Sequence, residues 1–358
     1  MRNNMKKTFF GALIVTAALL TGLVSCAETE DTDLTAFRQE AFDVWMKKYH
    51  PQAERQESGM YVEWIERNPE GRPLYEGYWM KLDYTGMLKN EEVFVSRSRQ
   101  IAKQVGFFAY TTNYVPEFME YYPASTGTIT GGGFWSLAPG QILALQTMNE
   151  GDSLRIYLPP SLSYAGYGFY GSDGYSPANM TVEPGTPLIF DMKLNEVIPD
   201  PVLYGAKQVE AYAQNELGIA DLADTVKVGM YLKILEPKPQ GDSIGRDSSL
   251  SVYYIGRLLD GFIFDTNIDT IAVQNNIYST DKSYMPLTFK PGDDDEGAPI
   301  EGFRAATLEM RRGEWARTVF VSGLGYGAAG NSPSIPAYAP LVFDIYVEPV
   351  DRGDDEEE

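Results

Sequence analysis

The string Gly59-Met60-Tyr61-Val62-Glu63-Trp64-Ile65-Glu66 returns 170 positions later as Gly229-Met230-Tyr231-Leu232-Lys233-Ile234-Leu235-Glu236. A second pair keeps the same offset: Asp83-Tyr84-Thr85-Gly86-Met87-Leu88 is answered by Tyr253-Tyr254-Ile255-Gly256-Arg257-Leu258. Two matches at one offset indicate an internal duplication. The period is much longer than the roughly 20–50 residues of a solenoid repeat. The repeated unit is therefore a whole domain, and 358 residues suffice for two. A hydrophobic content of 44% can furnish two cores.

The chain start reads as a targeting segment rather than as fold. Lys6 and Lys7 precede an apolar run over 9–24, the layout of a secretory signal. The run closes on Leu23-Val24-Ser25-Cys26, which resembles the bacterial lipobox, whose Cys is lipidated and becomes the mature N-terminus. Cys26 is the only Cys, so no intrachain disulfide can form. The expectation is a signal peptide over 1–25 and a membrane anchor through lipidated Cys26. The protein is then placed in the cell envelope, at the outer membrane, facing either the periplasm or the exterior. The acidic residues after Cys26 also resemble surface-export signals of Bacteroidetes lipoproteins. No other stretch approaches the roughly 20 apolar residues of a membrane span. A net charge of −21 argues against a nucleic-acid partner. The acid-rich segments 28–33 and 354–358 read as solvated tails.

Each copy has one layout, an amphipathic helix followed by a strand-rich body. Asp33 can cap a helix over 34–49, with Leu34, Phe37, Ala41, Trp45 and Lys48 on one stripe. A matching helix is expected over about 206–217. In the second copy 230–235, 250–259, 318–321 and 340–347 read as strands, and Asp260-Gly261 signals a hairpin. A helix over about 302–310 interrupts them, so the class is α+β with antiparallel sheets. The first copy reads as carrying extra chain over 94–137, rich in aromatics, and an enlarged loop over 165–182. The aromatics either pack an enlarged lobe or form a partner or glycan surface.

The second copy resembles the FKBP-type peptidyl-prolyl isomerases, with their motifs in order. Val252-Tyr253-Tyr254-Ile255-Gly256 stands for V-x-Y-x-G, and 260–266 for D-G-x-x-F-D-S. Pro299-Ile300-Glu301-Gly302-Phe303 matches V-I-x-G-W, Gly325-Tyr326-Gly327 the A-Y-G loop, and Leu341-Val342-Phe343-Asp344 the final strand. The resemblance implies two FKBP-like domains, each an antiparallel sheet curled around a short helix and preceded by an amphipathic helix. It divides the chain into an acidic tether and helix (26–57), a degenerate domain (58–199), a linker helix (200–227), an isomerase domain (228–350) and an acidic tail (351–358). The implied catalytic residues are Asp265, Tyr326 and Tyr254. Phe264, Ile300, Phe303, Phe343 and Leu287 would bind the substrate. Phe303 replaces the family's indole, while Leu287, Asn331 and Pro299 depart from its usual flanking residues.

In the first copy the resemblance keeps Tyr84, Phe94, Tyr164 and 188–191, but Val95 stands where the acid should be and Gln141 where the floor aromatic should be. Its apolar floor and one polar group read as lost. The implied activity needs no cofactor and no metal. The implied partners are proline-containing unfolded or exported polypeptides, for which the protein would be a folding factor, and the linker helices allow a homodimer. The competing reading is a non-catalytic surface lipoprotein binding peptides or glycans.

Overall fold

The computed structural model describes residues 34–123, 137–164, 168–171, 174–223, 225–331 and 334–350. The signal peptide, Cys26, the Asp33 cap, the glycine-aromatic run 131–135 and the tail 351–358 lie outside the described residues.

The chain is α+β. Helix α1 covers 34–49. The first body then runs β1 (Glu54–Arg55), β2 (Tyr61–Glu66), β3 (Trp79–Leu88), β4 (Val93–Ser96), α2 (Arg99–Val105), β5 (Glu117–Glu120), α3 (Pro139–Leu145), β6 (Ser153–Leu158), the short pair β7 (Phe169–Tyr170) and β8 (Thr181–Val182), and β9 (Leu188–Ile198). Helix α4 (Pro201–Tyr212) follows, and the second body runs β10 (Met230–Glu236), β11 (Leu250–Arg257), β12 (Ile263–Thr266), α5 (Asp269–Gln274), β13 (Leu287–Phe289), α6 (Glu301–Leu308), β14 (Trp315–Phe320) and β15 (Leu341–Val347).

The two sheets share one strand order. The first sheet is ordered β1-β2-β6-β9-β3-β4, with β5 also on β3; the second is β10-β14-β15-β11-β12, with β13 also on β11. All these pairings are antiparallel. Registers agree residue by residue: Tyr61 faces Tyr157 as Tyr231 faces Val319, and Gly86 faces Val95 as Gly256 faces Asp265. Even the turn chemistry repeats. Asp152 accepts from the amides of Asn68 and Asn149, and Glu314 accepts from those of Lys238 and Arg311. Arg155 grips Asp191 with two hydrogen bonds, and Arg317 grips Asp344 likewise.

Both faces of each sheet are covered, so strand residues alternate between two apolar layers. Met60 and Val62 point into the inner core beside α3, while Tyr61 points outward and packs with Phe42 and Met46 of α1. In the second body Met230 lies in the inner core, and Tyr231 packs outward on Val209, Ala213 and Leu217. The helix before each sheet therefore occupies the same outer face. The buried stripe of α1 is not the expected one: Leu34, Phe37, Ala41 and Lys48 are exposed, and Phe42 and Met46 are buried. The outward Tyr61, Tyr157 and Ile189 select that face, and helical periodicity alone does not reveal them. Helix α4 begins five residues earlier than 206. Asp200 caps it by accepting from the amides of Val202 and Leu203, and Pro201 takes the first helical position, where no amide is needed. It ends in a π-helical turn, Ala213–Leu217, with Gly218 left-handed, so the described residues of 218–227 are not helical.

Most of 94–137 is not extra chain. The offset of 170 persists through α2 and β5, where Phe108 stacks on Tyr114 as Tyr278 stacks on Tyr284. The Tyr114 and Tyr284 hydroxyls accept from the amides of Ala109 and Ser279 respectively. The offset is 162 at the Arg155–Arg317 match and 153 at Asp191–Asp344. The added residues of the first copy thus fall between β5 and α3, and between Tyr164 and β9, where β7 and β8 form a small hairpin.

Candidate functional site

The second sheet curls so that β11, β12, α6 and β15 each deliver an aromatic ring to one cleft. Phe303, on the first turn of α6 and only 2% exposed, is its floor. Its ring lies 5.2 Å from Phe343, 5.5 Å from Tyr254 and 5.8 Å from Phe289, all edge-on or tilted. Phe264 meets Phe343 edge-on at 5.6 Å, and Phe320 stacks behind Phe343 at 5.9 Å. Such edge-to-face packing fixes ring positions beyond what area burial alone would. Phe264, Tyr254, Ile300, Leu287 and Tyr326 remain half-buried and line the opening.

Two glycines make this packing possible. A Cβ on Gly256 would stand 2.7 Å from the Phe264 ring and 2.9 Å from that of Phe343; a Cβ on Gly302 would stand 2.7 Å from the Phe320 ring. The repeated glycine of the Tyr-x-Gly strands is thus a close-approach position: a Cβ on Gly86 would meet Phe94 at 2.5 Å and Phe190 at 2.8 Å.

One polar cluster sits on the apolar rim. The Tyr254 hydroxyl donates to Asp265 Oδ2 at 2.6 Å, and Lys282 Nζ pairs with Asp265 Oδ1. Burial pushes the Tyr254 hydroxyl well above the usual tyrosine range, and its hydrogen bond to Asp265 and that carboxylate's charge push it further. Burial, and then the charge of Asp265, also raise Tyr326, against a side-chain hydrogen bond with Asn331. Tyr254 and Tyr326 are therefore neutral hydrogen-bond donors at physiological pH. Asn267 locks the frame: its amide nitrogen donates to Val252 O and Met285 O, and its oxygen accepts from Tyr254 N. Among the described residues no group of three or more His, Cys, Asp or Glu side chains could hold a metal ion.

Of the eight residues expected in this cleft, Tyr254, Phe264, Phe303 and Phe343 meet ring to ring, Asp265 bonds Tyr254, and Ile300, Leu287 and Tyr326 pack against the same core. Lys282, Phe289, Phe320 and Asn267 were not foreseen. Phe289 stands two residues past Leu287 on one face of β13, a spacing that could have revealed it. Lys282 lies in the loop before β13, where no pattern marks it.

The first body differs in a way the sequence reading misjudged. Its acid is not lost but supplied from another strand. Val95 occupies the Asp265 position, and Glu117 occupies that of Leu287, since Leu82 faces Glu117 as Val252 faces Leu287. The Tyr84 hydroxyl donates to Glu117 at 2.7 Å, and Arg97 pairs with the same oxygen at 2.7 Å. Tyr84 and Glu117 are buried and the Arg97 side chain is 10% exposed; the charge of Glu117 keeps Arg97 protonated despite a burial that opposes it. The cleft above is filled. Phe169 of the β7–β8 hairpin packs 4.9 Å from Phe94 and 5.5 Å from Tyr164, leaving Phe94 and Phe190 with no exposure. Gln141, at the Phe303 position, is fully buried, with its oxygen accepting from Ala138 N.

Comparison with known proteins bears on the second body. Residues 241–348 match the family model described as FKBP-type peptidyl-prolyl cis-trans isomerase. Three curated relatives are similar. The macrophage infectivity potentiator of Trypanosoma cruzi is 32% identical over 107 residues, covering 30% of this chain and 45% of the relative. Peptidyl-prolyl cis-trans isomerase FKBP11 of Bos taurus is 32% identical over 138 residues, covering 38% and 57%. Peptidyl-prolyl cis-trans isomerase FKBP2 of Homo sapiens is 34% identical over 103 residues, covering 29% and 61%. The chain thus spans about half the length of the curated relatives it matches. Among solved structures, the three FKBP domains of wheat FKBP73 align over 82% of this chain and 95% of that one, at 16% identity and a TM-score of 0.28. A peptidyl-prolyl isomerase of Pseudomonas syringae aligns over 41% and 91%, at 28% identity and a TM-score of 0.31. At such TM-scores neither superposition bears on the site. It is over 241–348, the segment that builds this aromatic cleft, that the chain is similar to the FKBP-type peptidyl-prolyl cis-trans isomerases.

Proposed function

We propose that the second body, 228–350, is a peptidyl-prolyl cis-trans isomerase, and that the first, 58–199, is a non-catalytic relative of it. The observation that carries this reading is the Tyr254–Asp265 hydrogen bond on the rim of an open cleft floored by Phe303. Isomerisation breaks no bond; its barrier of about 18–20 kcal/mol is the loss of amide resonance on twisting. A twisted amide is less polar than a planar one, so a cleft walled by Phe264, Ile300, Phe303 and Phe343 favours the transition state over the ground state. Tyr326 donates to a substrate carbonyl. Asp265 orients Tyr254 and acts electrostatically on the carbonyl as it rotates. Lowering the barrier by about 5 kcal/mol accelerates exchange a few thousandfold.

The substrates in this reading are proline-containing exported polypeptides, met in the cell envelope by a protein anchored through Cys26. The lipobox-like segment Leu23-Val24-Ser25-Cys26 supports this. The first body is assigned no catalysis because Phe169 fills its cleft and Glu117 and Arg97 neutralise each other inside it. The test is cis–trans exchange of an X-Pro peptide with the full chain and with the Asp265→Val, Phe303→Gln double variant. The full chain accelerates exchange and the double variant returns it to the uncatalysed rate; equal rates for the two proteins would refute the assignment.

A further inference from the structure

Between β14 and β15, Tyr326 packs at the cleft, and Ala337 and Tyr338 reach the first body. The described residues around them hold an unusual conformation. Gly327 and Gly330 are left-handed, with φ of +59° and +64°, and so is Tyr338, with φ of +54°. An aromatic residue in that region costs roughly 1–2 kcal/mol and persists where its surroundings compensate. Two contacts hold Tyr338. Its amide donates to Gly327 O at 2.9 Å, immediately after Tyr326. Its ring meets Trp79 of the first body edge-on at 5.0 Å. Trp79 is itself only 6% exposed and stacks on Phe118 at 4.9 Å. Ile198, Ala337 and Tyr204 complete this small core between the bodies. Tyr204 belongs to α4 and is tied to the first sheet, accepting from Lys81 at 2.6 Å and donating to Glu196 at 2.5 Å.

A chain of packed side chains therefore runs from the first sheet to the backbone beside Tyr326. We propose that Trp79 is a positioning residue for the isomerase site, acting through Tyr338 and Gly327 on the Tyr326 hydroxyl. On this inference the first body has exchanged its own cleft for a role in bracing the loop of its neighbour. The inference rests on the isomerase assignment of the second body.

The test uses the full chain and X-Pro peptide exchange. Trp79→Ala removes the brace from one side. Tyr338→Gly removes it from the other while leaving the left-handed backbone unstrained. Each is expected to lower kcat/KM about two- to tenfold, the range of one edge-on ring contact, mainly in kcat. In a Tyr326→Phe background, where no hydroxyl remains to be positioned, Trp79→Ala should have no further effect. A purely structural Trp79 would give the same factor with and without Tyr326, and that result overturns the proposal. Wild-type activity in both single variants also overturns it. Inactivity of the unmodified chain would instead remove the isomerase assignment, which keeps the two failures distinguishable.

Discussion

Replacing Asp265 by Val gives the second cleft the residue the first body carries at the same register. The change removes the acceptor of the 2.6 Å Tyr254 hydrogen bond and the partner of Lys282. A hydrogen bond to a charged group contributes about 1.5–3 kcal/mol. Asp265 is 38% exposed and Lys282 34%, so solvent screens both and the lower end of that range applies. About 1.5 kcal/mol corresponds to roughly a tenfold loss of kcat/KM. The fold should lose no more than about the same 1.5 kcal/mol, since the ion pair, this exposed, adds only about 0–1 kcal/mol to stability. Peptide exchange kinetics measured beside a thermal melt separate the two effects. A variant that keeps its melt and stays within twofold of wild-type activity would refute the electrostatic role given to Asp265.

Two further substitutions test the polar framework. Asp344 is buried between Arg317 and Arg257; burial alone would raise its pKa, but the two arginines outweigh it and hold the carboxyl below its ordinary value. A depressed folded-state pKa gives stability that is full above the unfolded value, near 4, and is lost as pH falls through the folded one. Asp344→Asn should therefore cost about 2–3 kcal/mol at neutral pH, under the roughly 3–5 kcal/mol of a fully buried pair because both arginines reach solvent. Its denaturation curve should converge with wild type below about pH 4; a pH-independent difference would contradict the pairing. Glu117→Leu strands Arg97, whose side chain is only 10% exposed, and unpairs the Tyr84 hydroxyl. It should cost about 3–5 kcal/mol in denaturant unfolding, and a loss below about 1 kcal/mol would contradict the buried triad.

The sequence carried the duplication and the second cleft because both rest on local strings. Tyr254, Asp265, Phe303 and Tyr326 lie in motifs with fixed spacing, the first three on β11, β12 and α6 and the last in the turn after β14. What stayed hidden depends on pairing across the sheet. Glu117 can replace the missing acid only because β5 lies beside β3, a proximity the spacing of Tyr84 and Glu117 does not disclose. The α1 stripe was misjudged for a related reason. Leu34, Phe37 and Ala41 satisfy a helical period, but the outward face of the sheet accepts Phe42 and Met46. The aromatics over 107–114 read as an insertion because only Tyr114 keeps its residue type in the second copy, as Tyr284, while Phe107, Phe108 and Tyr110 are answered by Ile277, Tyr278 and Thr280.

The central claim is that one cleft works and its twin does not. It is tested most directly by titrating an X-Pro peptide into the isotopically labelled full chain and following backbone amides while cis–trans exchange is measured on the peptide. The account predicts concentration-dependent shifts at Tyr254, Asp265, Phe303 and Tyr326, with accelerated exchange, and no shifts at Tyr84, Phe94, Glu117 or Gln141. Peptide binding confined to the first body, or accelerated exchange without any change at Tyr254 and Phe303, would contradict it.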